Sequence, residues 1–403
     1  MPKVLIADKF EKVGVDGLKD LGCTVLERPD VKADDLPALM AELDPKVLIV
    51  RSKKVTEAAL KAGSSLSLVI RAGAGIDTID VKAASRLGVF VSNCPGKNSI
   101  AVAELVMGLI LSCDRRIPDQ VSDIRKGIWN KSEYSNARGL HGRTLGIVGL
   151  GQIGREVTKR AQAFGMQVVA WSRQLTIEEA TRLGIGYCQT PLEVARLSDV
   201  VSVNVAGTPE TKNLIDATFL AAMKPGAYLI NTARGSVGDE AAMLAAAAEQ
   251  GIRFGLDVFQ NEPAGGKGTF DSAIARAPGV FATHHVGAST DQAQIAIAHE
   301  TIRIVEAFLE TGKAPHCVNR LAKSAATHVL SVRHQNRPGV LAHVFRVLLE
   351  EQINVEEVEN IAYHGSEAAN ARIHVSGKPT DQALAEIKGG NPHVISVDLA
   401  AIG

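Results

Sequence analysis

Short apolar segments rich in β-branched residues alternate with amphipathic, helix-like segments along most of the chain, which is the pattern of parallel α/β sheets. A first run predicts helices between four strands, at Lys3–Ala7, Thr24–Glu27, Val47–Arg51 and Leu68–Arg71. After a long apolar helix near residues 100–113, a second run extends from Thr144 to about Val286. The pattern over Ser289–Thr311 predicts one long helix that packs back onto the first run.

The pattern changes at His328, and from there it predicts a small unit with the element order βαββαβ. The predicted helices are Gly339–Glu351 and Asp381–Lys388, and the predicted strands are Val329–Arg333, Val355–Ala362, Ala371–Ser376 and Val394–Leu399. About 75 residues are enough to fold independently. We therefore predict a separate third domain at residues 325–403.

Composition and charge exclude several classes of protein. Lys and Arg number 44 against 44 Asp and Glu, so no basic excess favours the phosphate backbone of nucleic acids. The longest apolar runs, such as Leu105–Cys113, fall short of the roughly 20 residues of a membrane span. The five cysteines form no C-x-x-C pair, which argues against a metal site and fits a reducing compartment. We expect a cytoplasmic protein with no nucleic-acid, membrane or metal partner.

A glycine motif, G-L-G-Q-I-G at Gly149–Gly154, stands between a predicted strand and a predicted helix. The first glycine, Gly149, permits a tight turn, and the second, Gly151, lets a pyrophosphate approach the backbone. The third, Gly154, lets helix and strand pack closely, and the helix amino terminus, with Gln152 and Ile153, faces the anion. A purely structural turn is the alternative, but the strand–turn–helix context favours a dinucleotide site.

The next predicted strand, Gln167–Trp171, is followed by Ser172 and Arg173. A site specific for NAD usually has an acidic residue here that binds the adenosine ribose. A hydroxyl and a guanidinium would instead attract the 2′-phosphate of NADP. The alternative is that Arg173 only points to solvent, so this position favours tolerance of NADP without deciding the cofactor.

Three chemically capable residues follow three predicted strands of the second run. Arg234, Glu262 and His285 all stand just beyond the carboxyl ends of these strands, as the glycine motif does. Ligands of parallel sheets bind at that edge. Each residue alone has an ordinary explanation, such as a surface ion pair, a solvated loop or a core histidine. Together, behind a dinucleotide turn, they predict one catalytic pocket.

This combination suits hydride transfer at a 2-hydroxy acid. An imidazole can take the hydroxyl proton as hydride leaves C2 and return it in the reverse reaction. A carboxylate bonded to the far ring nitrogen orients the ring. A guanidinium can hold the substrate carboxylate in bidentate fashion. We therefore predict His285 as acid/base, Glu262 as its partner and Arg234 as the substrate clamp.

Seven stretches, in this order, resemble the D-2-hydroxyacid dehydrogenase family over about the first 320 residues. They are R-A-G-A-G-I-D-T-I-D (Arg71–Asp80), N-S-I-A-V-A-E-L (Asn98–Leu105), T-L-G-I-V-G-L-G-Q-I-G (Thr144–Gly154), T-P-E-T-K-N-L-I (Thr208–Ile215), I-N-T-A-R-G (Ile230–Gly235), L-D-V-F-Q-N-E-P (Leu256–Pro263) and H-V-G-A-S-T (His285–Thr290). The resemblance implies a doubly wound, flavodoxin-like substrate domain at residues 1–97 and 291–318. It also implies a doubly wound Rossmann nucleotide domain at residues 98–290, hinged against the first.

The resemblance implies the same three catalytic residues and adds others. It places Asp257 near the nicotinamide carboxamide and adds Ala233, His285 and Gly287 to the cofactor site. It implies substrate contacts by Ala74, Gly75 and Asn98. One departure concerns the catalytic histidine, because His284 stands where the family usually has proline. The following V-G-A-S-T stretch favours His285 as the catalytic residue.

Within the family, the resemblance is greatest to members that oxidise 3-phospho-D-glycerate to 3-phosphohydroxypyruvate in L-serine biosynthesis. Substrate phosphate needs cations, and Arg51, Ser52 and Lys53 follow a predicted strand. A solvated strand edge is the alternative for these residues. Two other functions stay open: an NADPH-dependent glyoxylate or hydroxypyruvate reductase, and a nucleotide-sensing corepressor-like protein without turnover.

The third domain resembles the ACT domain, a regulatory module that binds small ligands. The stretch V-R-H-Q-N-R-P-G-V-L (Val332–Leu341) is similar to its serine-binding signature. The resemblance implies that His334, Asn336 and Asn354 bind L-serine across a dimer interface. An ordinary turn explains the same residues. The resemblance also implies a homo-oligomer, either a dimer or a tetramer.

Overall fold

The structure is a computed structural model that describes residues 1–263, 268–321 and 324–402. The chain divides into two compact units, residues 1–319 and 320–403. The first unit contains two parallel sheets, and the second contains one antiparallel sheet. Gly403, the last residue of the predicted third domain, lies outside the described residues.

The first sheet has five parallel strands in the order β2-β1-β3-β4-β5, the flavodoxin-like arrangement. Its strands are β1 (Lys3–Ile6), β2 (Thr24–Glu27), β3 (Val47–Val50), β4 (Leu68–Arg71) and β5 (Phe90–Asn93). Its helices are α1 (Lys12–Asp20), α2 (Leu36–Leu43), α3 (Glu57–Ala62) and α4 (Val81–Arg86). Strand β3 reads V-L-I-V and is buried throughout, because apolar clusters cover both faces of the sheet.

Two helices lead from the first sheet to the second, α5 (Ser99–Arg115) and α6 (Ile117–Arg125). Most of the side chains of α5 are buried, because this helix packs against the second sheet. Arg116, in the left-handed conformation, separates α5 from α6.

The second sheet has seven parallel strands in the order β12-β11-β10-β9-β6-β7-β8. Its strands are β6 (Thr144–Val148), β7 (Gln167–Trp171), β8 (Gly186–Tyr187), β9 (Val200–Val203), β10 (Tyr228–Asn231), β11 (Arg253–Leu256) and β12 (Val280–Ala282). Its helices are α7 (Gln152–Ala163), α8 (Ile177–Arg182), α9 (Pro191–Leu197), α10 (Ala217–Ala222) and α11 (Glu240–Gln250). The strand order reverses at β6, which is where doubly wound sheets open a ligand crevice.

Helix α12 (Asp291–Thr311) returns the chain to the first sheet. It begins at Thr290, whose hydroxyl accepts a hydrogen bond from the amide of Ala293, and it ends at Gly312 with a φ of +69°. Ile302 of this helix packs against Gly17 of α1, where a Cβ would lie 2.4 Å from Ile302 Cδ1. The predicted long helix and its packing on the first α/β run are therefore confirmed.

Glu300 forms ion pairs that link α12 to the segment just before α5. Its carboxylate is only 5% exposed and accepts hydrogen bonds from Lys97 Nζ at 3.1 Å, Arg303 Nε at 3.0 Å and His316 Nε2 at 2.9 Å. Lys97 lies two residues before α5. The hydrogen bond from Arg303 chiefly lowers the pKa of Glu300 to about 2, although burial acts to raise it.

The second unit is a four-stranded antiparallel sheet in the order β14-β15-β13-β16. Its strands are β13 (His328–Gln335), β14 (Val355–Ala362), β15 (Ala368–Val375) and β16 (Val394–Ala401), and its helices are α13 (Val340–Glu350) and α14 (Asp381–Gly389). Alternate residues of β13 and β15 pack with both helices in one apolar cluster.

The predicted fold class is confirmed: two doubly wound parallel sheets and one βαββαβ unit. The hydropathy pattern misses α4 and β5, because six- and four-residue elements leave too few positions to show a period. Within the described ranges, no helix combines the length and the apolar character that crossing a membrane requires.

Candidate active site

The glycine turn connects β6 to α7 at the reversal point of the second sheet. Gly149 has a φ of +99°, and a Cβ there would lie 2.8 Å from the carbonyl oxygen of Asn204. A Cβ on Gly154 would collide with the carbonyl oxygen of Gly149. Steric limits of the fold therefore require glycine at both positions.

Gly151 has a different role from its two neighbours. A Cβ at this position would meet none of the described atoms within 4 Å. Gly151 is the N-cap of α7 and gives the helix no side-chain cap, so the amides of its first turn, from Gln152 onward, face this space. Open space beside uncapped amides fits the pyrophosphate of a dinucleotide.

Ser172 and Arg173 follow β7 as the sequence indicates. Ser172 is half-buried and Arg173 is exposed. Arg173 faces Glu210, whose pKa is lowered mainly by a hydrogen bond from Thr208, with a smaller contribution from the charge of Arg173. An exposed guanidinium therefore follows β7.

His285 and Glu262, which follow β12 and β11, form a hydrogen-bonded pair. Nδ1 of His285 lies 2.7 Å from Oε2 of Glu262, and Oε1 of Glu262 accepts a hydrogen bond from the amide of Phe259 at 2.9 Å. Burial acts to raise the pKa of Glu262, but the hydrogen bonds from His285 and Phe259 outweigh it, so this pKa lies below its usual value. The imidazole is 47% exposed, which leaves its Nε2 side open to a substrate.

Arg234 follows β10 and reaches the first sheet. Its Nε donates to Oδ2 of Asp77 at 2.7 Å, and a Cβ on Gly75 would collide with its Nη2. The carbonyl oxygen of the neighbouring Ala74 accepts a hydrogen bond from Asn93 Nδ2 at 2.6 Å. The structure thus brings Arg234 together with the predicted Ala74–Gly75 backbone.

Asp257 directly follows β11 and is 1% exposed. Its Oδ1 accepts hydrogen bonds from Thr283 Oγ1 at 2.6 Å and from the amide of Val286 at 2.9 Å. Its Oδ2 accepts one from the amide of Gly287 at 2.9 Å. Asp257 and Gly287 therefore contact each other beside His285.

Arg71, at the end of β4, was not predicted as a site residue from the sequence, but the charge of Arg234 acts on it. Its guanidinium lies against Gly73, which has a φ of +148°, and it forms no ion pair with any of the described residues. Burial, as the largest cause, together with the nearby positive charges of Arg234 and Arg51 lowers the pKa of Arg71 to about 10, although the charge of Asp77 acts to raise it. The positive charges of Arg234 and Arg51 thus act on Arg71, and the single arginine of the matching stretch R-A-G-A-G was the available signal.

The three residues predicted to contact a substrate phosphate, Arg51, Ser52 and Lys53, differ in the hydrogen bonds of their side chains. The backbone amides of all three residues donate to Oδ2 of Asp8, at 2.7, 3.0 and 2.9 Å, and the hydroxyl of Ser52 donates to Oδ1 of Asp8 at 3.1 Å. The ammonium group of Lys53 donates to the carbonyl oxygens of Pro29 and Val31. The Arg51 guanidinium forms no ion pair among the described residues, and its charge acts on Arg71.

Two further predicted site residues are Asn98 and Ala233. Asn98 is the N-cap of α5, and its Oδ1 is buried without a hydrogen-bond partner among the described residues. The carbonyl oxygen of Ala233 accepts a hydrogen bond from Arg234 Nη1 at 2.7 Å. The structure also packs the Gln152 side chain against Gly96, immediately before the start of α5.

The three predicted regulatory residues do not meet within one copy of the second unit. His334 is 2% exposed, and its ring nitrogens bond to the carbonyl oxygen of Gln335 at 2.7 Å and to Asn360 Oδ1 at 3.1 Å. Asn336 follows β13, whereas Asn354 lies beside Ser376, at the opposite end of that strand. A ligand that contacts all three residues therefore requires a second copy of the chain.

A doubly wound sheet with an open glycine turn, joined at one edge by a His–Glu pair and a guanidinium, defines the class of nicotinamide-nucleotide-binding proteins. A family model described as "D-isomer specific 2-hydroxyacid dehydrogenase, NAD binding domain" matches residues 107–287, and an ACT domain model matches residues 328–388. The chain belongs to the D-isomer specific 2-hydroxyacid dehydrogenase family and carries an ACT domain.

The proteins to which the chain is similar include dehydrogenases and reductases of different 2-hydroxy and 2-oxo acids. The D-3-phosphoglycerate dehydrogenase of Methanocaldococcus jannaschii is 35% identical over 321 residues, which are 79% of this chain and 60% of that protein. The chain thus spans about 60% of the length of this relative. An NADPH-dependent glyoxylate/hydroxypyruvate reductase from Sinorhizobium meliloti, solved in complex with NADP and malonate, is structurally similar to the chain. The match has a TM-score of 0.68 and 29% identity, and it covers 79% of this chain and 96% of that one. The D-lactate dehydrogenase of Aquifex aeolicus, complexed with NAD and lactic acid, gives a TM-score of 0.64 at 29% identity over 76% of this chain and 95% of that one.

Proposed function

We propose that the chain interconverts a D-2-hydroxy acid and its 2-oxo acid with a nicotinamide cofactor, and that 3-phospho-D-glycerate is the hydroxy acid. The observation that carries the proposal is the 2.7 Å pair of His285 and Glu262 beside Arg234, at the strand edge that holds the glycine turn. Residues 1–97 and 291–318 form the substrate domain in this proposal, and residues 98–290 form the nucleotide domain.

A bound nicotinamide would accept the hydride from C2 of the hydroxy acid. Arg234 binds the substrate carboxylate through its guanidinium, together with the backbone of Ala74 and Gly75. His285 takes the hydroxyl proton at Nε2, because its Nδ1 is engaged by Glu262. The Glu262 carboxylate stabilises the imidazolium that forms, and its lowered pKa keeps it ionised for this purpose.

The guanidinium groups of Arg71, Arg234 and Arg51 support a phosphorylated substrate. A half-buried cation without an ion-pair partner among the described residues, as Arg71 is, favours an anionic ligand. Arg234 is assigned to the carboxylate, so Arg71 and Arg51 are available for a second anionic group. We therefore assign the phosphate of 3-phospho-D-glycerate to Arg71 and Arg51, and we leave Lys53 out because its ammonium already bonds to two carbonyl oxygens.

The cofactor proposal is NAD with tolerance of NADP. The glycine turn serves both nucleotides, and relatives have been solved with each. Arg173 supplies the cation that a 2′-phosphate would need. We expect Arg173→Ala to raise the KM for NADPH about 10-fold and to leave the KM for NADH unchanged within twofold.

The ACT domain is proposed to bind an amino-acid effector, L-serine. Because Asn336 and Asn354 lie at opposite ends of β13, the effector site is assembled between two copies, and the protein is a homo-oligomer. Exposed apolar side chains after α6, Ile128 at 47% and Trp129 at 80%, support a second contact between copies. Five free cysteines support a reducing, cytoplasmic location.

A paired kinetic assay tests the proposed function. It compares 3-phosphoglycerate with NAD against glyoxylate or hydroxypyruvate with NADPH, each with and without L-serine. A dominant phosphoglycerate activity that L-serine lowers supports the proposal. A dominant NADPH-linked reduction that ignores serine would replace it with the reductase function, and no turnover on any substrate would favour a nucleotide-sensing binding protein.

A further inference from the structure

The catalytic histidine has an unusual backbone conformation. His285 has a φ of +53°, the left-handed region that residues other than glycine seldom adopt. It stands three residues after β12, in the loop that carries its ring toward Glu262. A strained conformation persists only where neighbouring contacts over-determine it, and such contacts gather at functional sites.

The contacts that hold this loop converge on one carboxylate. Oδ1 of Asp257 accepts hydrogen bonds from Thr283 Oγ1 and from the amide of Val286, and Oδ2 accepts one from the amide of Gly287. A carboxylate offers about four acceptor positions, so the loop uses three of them. Asp257 is 1% exposed, and water cannot easily replace these contacts.

The donors flank the catalytic residue on both sides. Thr283 lies two positions before His285, and Val286 lies one position after it. The amide of Thr283 also donates a hydrogen bond to the carbonyl oxygen of Leu256 at 2.9 Å, which extends the sheet. Because both donors meet at the same oxygen atom, the segment between them bulges outward. His284 and His285 form this bulge, and the exposure of both residues agrees with it.

We propose that Asp257 is a positioning residue that holds His285 in the left-handed conformation and thereby directs Nδ1 of His285 to Glu262. The catalytic consequence rests on the proposed function, whereas the conformational part concerns the protein without ligand. One acceptor position on Oδ2 stays available, so a contact with the nicotinamide carboxamide is compatible with this role. The experiment must therefore separate positioning from cofactor binding.

The test uses Asp257→Asn in the full chain, with Thr283→Val as a second variant and Thr283→Ser as its conservative rescue. The first readout is the far-downfield NMR signal of the His285 Nδ1 proton in the ligand-free protein, assigned by its loss in His285→Ala. The other readouts are kcat and the Kd of the reduced cofactor measured by fluorescence. Thr283→Val keeps the carboxylate, so it carries the test if Asp257→Asn does not fold.

We expect Asp257→Asn to lose the Nδ1 signal and about 100-fold in kcat. Thr283→Val, which keeps the Asp257 carboxylate, weakens the signal and lowers kcat about 10-fold with the cofactor Kd unchanged within twofold, and Thr283→Ser restores the signal and kcat. A signal that persists in Asp257→Asn and Thr283→Val overturns the proposal, and so does a raised cofactor Kd with an intact signal. If the signal is lost in the variants while the wild type turns over no 2-oxo acid, the positioning role stands and the proposed function fails.

Discussion

The candidate active site and the predicted effector residues differ in how completely one chain assembles them. His285 and Glu262 are 23 positions apart in sequence, yet their side chains meet at 2.7 Å. They follow β12 and β11, which are parallel neighbours, and parallel strands present their carboxyl ends at one edge. A motif placed after successive parallel strands therefore converges by topology alone.

The predicted effector residues Asn336 and Asn354 are separated, because the first follows β13 and the second precedes β14. Asn336 follows the carboxyl end of β13, whereas Asn354 lies beside the residue that follows β15, which runs antiparallel to β13. Seven residue steps along β13 correspond to roughly 23 Å. Because β13 and β14 both run antiparallel to β15, they run in the same direction, and a residue that follows β13 lies at the opposite end of the sheet from a residue that precedes β14.

The largest expected effect comes from removing the acid/base of the one-chain site. His285→Ala should lower kcat about 1,000-fold, because no other described side chain pairs with Glu262 to move the proton. The matched control is His284→Ala, whose exposed imidazole is the adjacent residue. An equal loss of kcat in both variants would show that the bulge, rather than the His285 ring, is what matters.

The next effect concerns the substrate anion. Arg71→Met keeps the bulk of the side chain and removes its charge, so kcat/KM for 3-phosphoglycerate should fall about 10- to 100-fold. The rate with glyoxylate, which lacks a phosphate, should stay within threefold. Lys53→Met serves as the control, since its ammonium bonds to Pro29 and Val31. Equal losses on both substrates would mean that Arg71 supports the fold or the carboxylate site instead.

A mixing experiment sharpens the contrast between one-chain and two-chain sites. Asn336→Ala and Asn354→Ala should each abolish L-serine binding, measured by calorimetry. When equal amounts are unfolded, mixed and refolded as dimers, half of the dimers are mixed, and each mixed dimer holds one intact site. Binding should return to about a quarter of the wild-type number of sites. No recovery in verified mixed dimers would place the serine site within one chain.

The smallest effect is a pH-dependent stability difference at Glu300. Its folded pKa, about 2, lies below its ordinary value of 4.5. A carboxylate with a depressed folded pKa contributes stability above its unfolded pKa and loses it as pH falls toward the folded pKa. The unfolding free energy of the wild type should therefore exceed that of Glu300→Gln by a constant amount above about pH 5.5, and the difference should shrink below about pH 4.5. A difference that grows in acid would contradict the ion-pair role.

Much of this architecture could be predicted from local sequence rules. The turn at Gly149–Gly154 is specified by steric limits that two of its glycines satisfy, and the positions of Arg234, Glu262 and His285 after strands follow from the α/β pattern. Parallel topology then fixes their convergence. These features depend on short-range periodicity and on one general rule about sheet edges.

Other features depend on contacts that no local pattern encodes. Asp8 occupies the amides of Arg51–Lys53, although 43 positions separate Asp8 from Arg51. Arg71 lies inside a matching family stretch, but its burial beside two other guanidinium groups emerges only from packing. The left-handed backbone of His285 likewise results from a carboxylate 28 positions earlier in the chain.

The most direct test of the central claim follows the hydride itself. The purified chain is incubated with a 4-deuterated reduced nicotinamide cofactor and 3-phosphohydroxypyruvate, and the product is analysed by NMR and mass spectrometry. The account predicts one deuterium at C2 of a D-configured 2-hydroxy acid, with the transfer nearly absent in His285→Ala. Transfer at an undiminished rate in that variant, or no transfer with any 2-oxo acid, would contradict it.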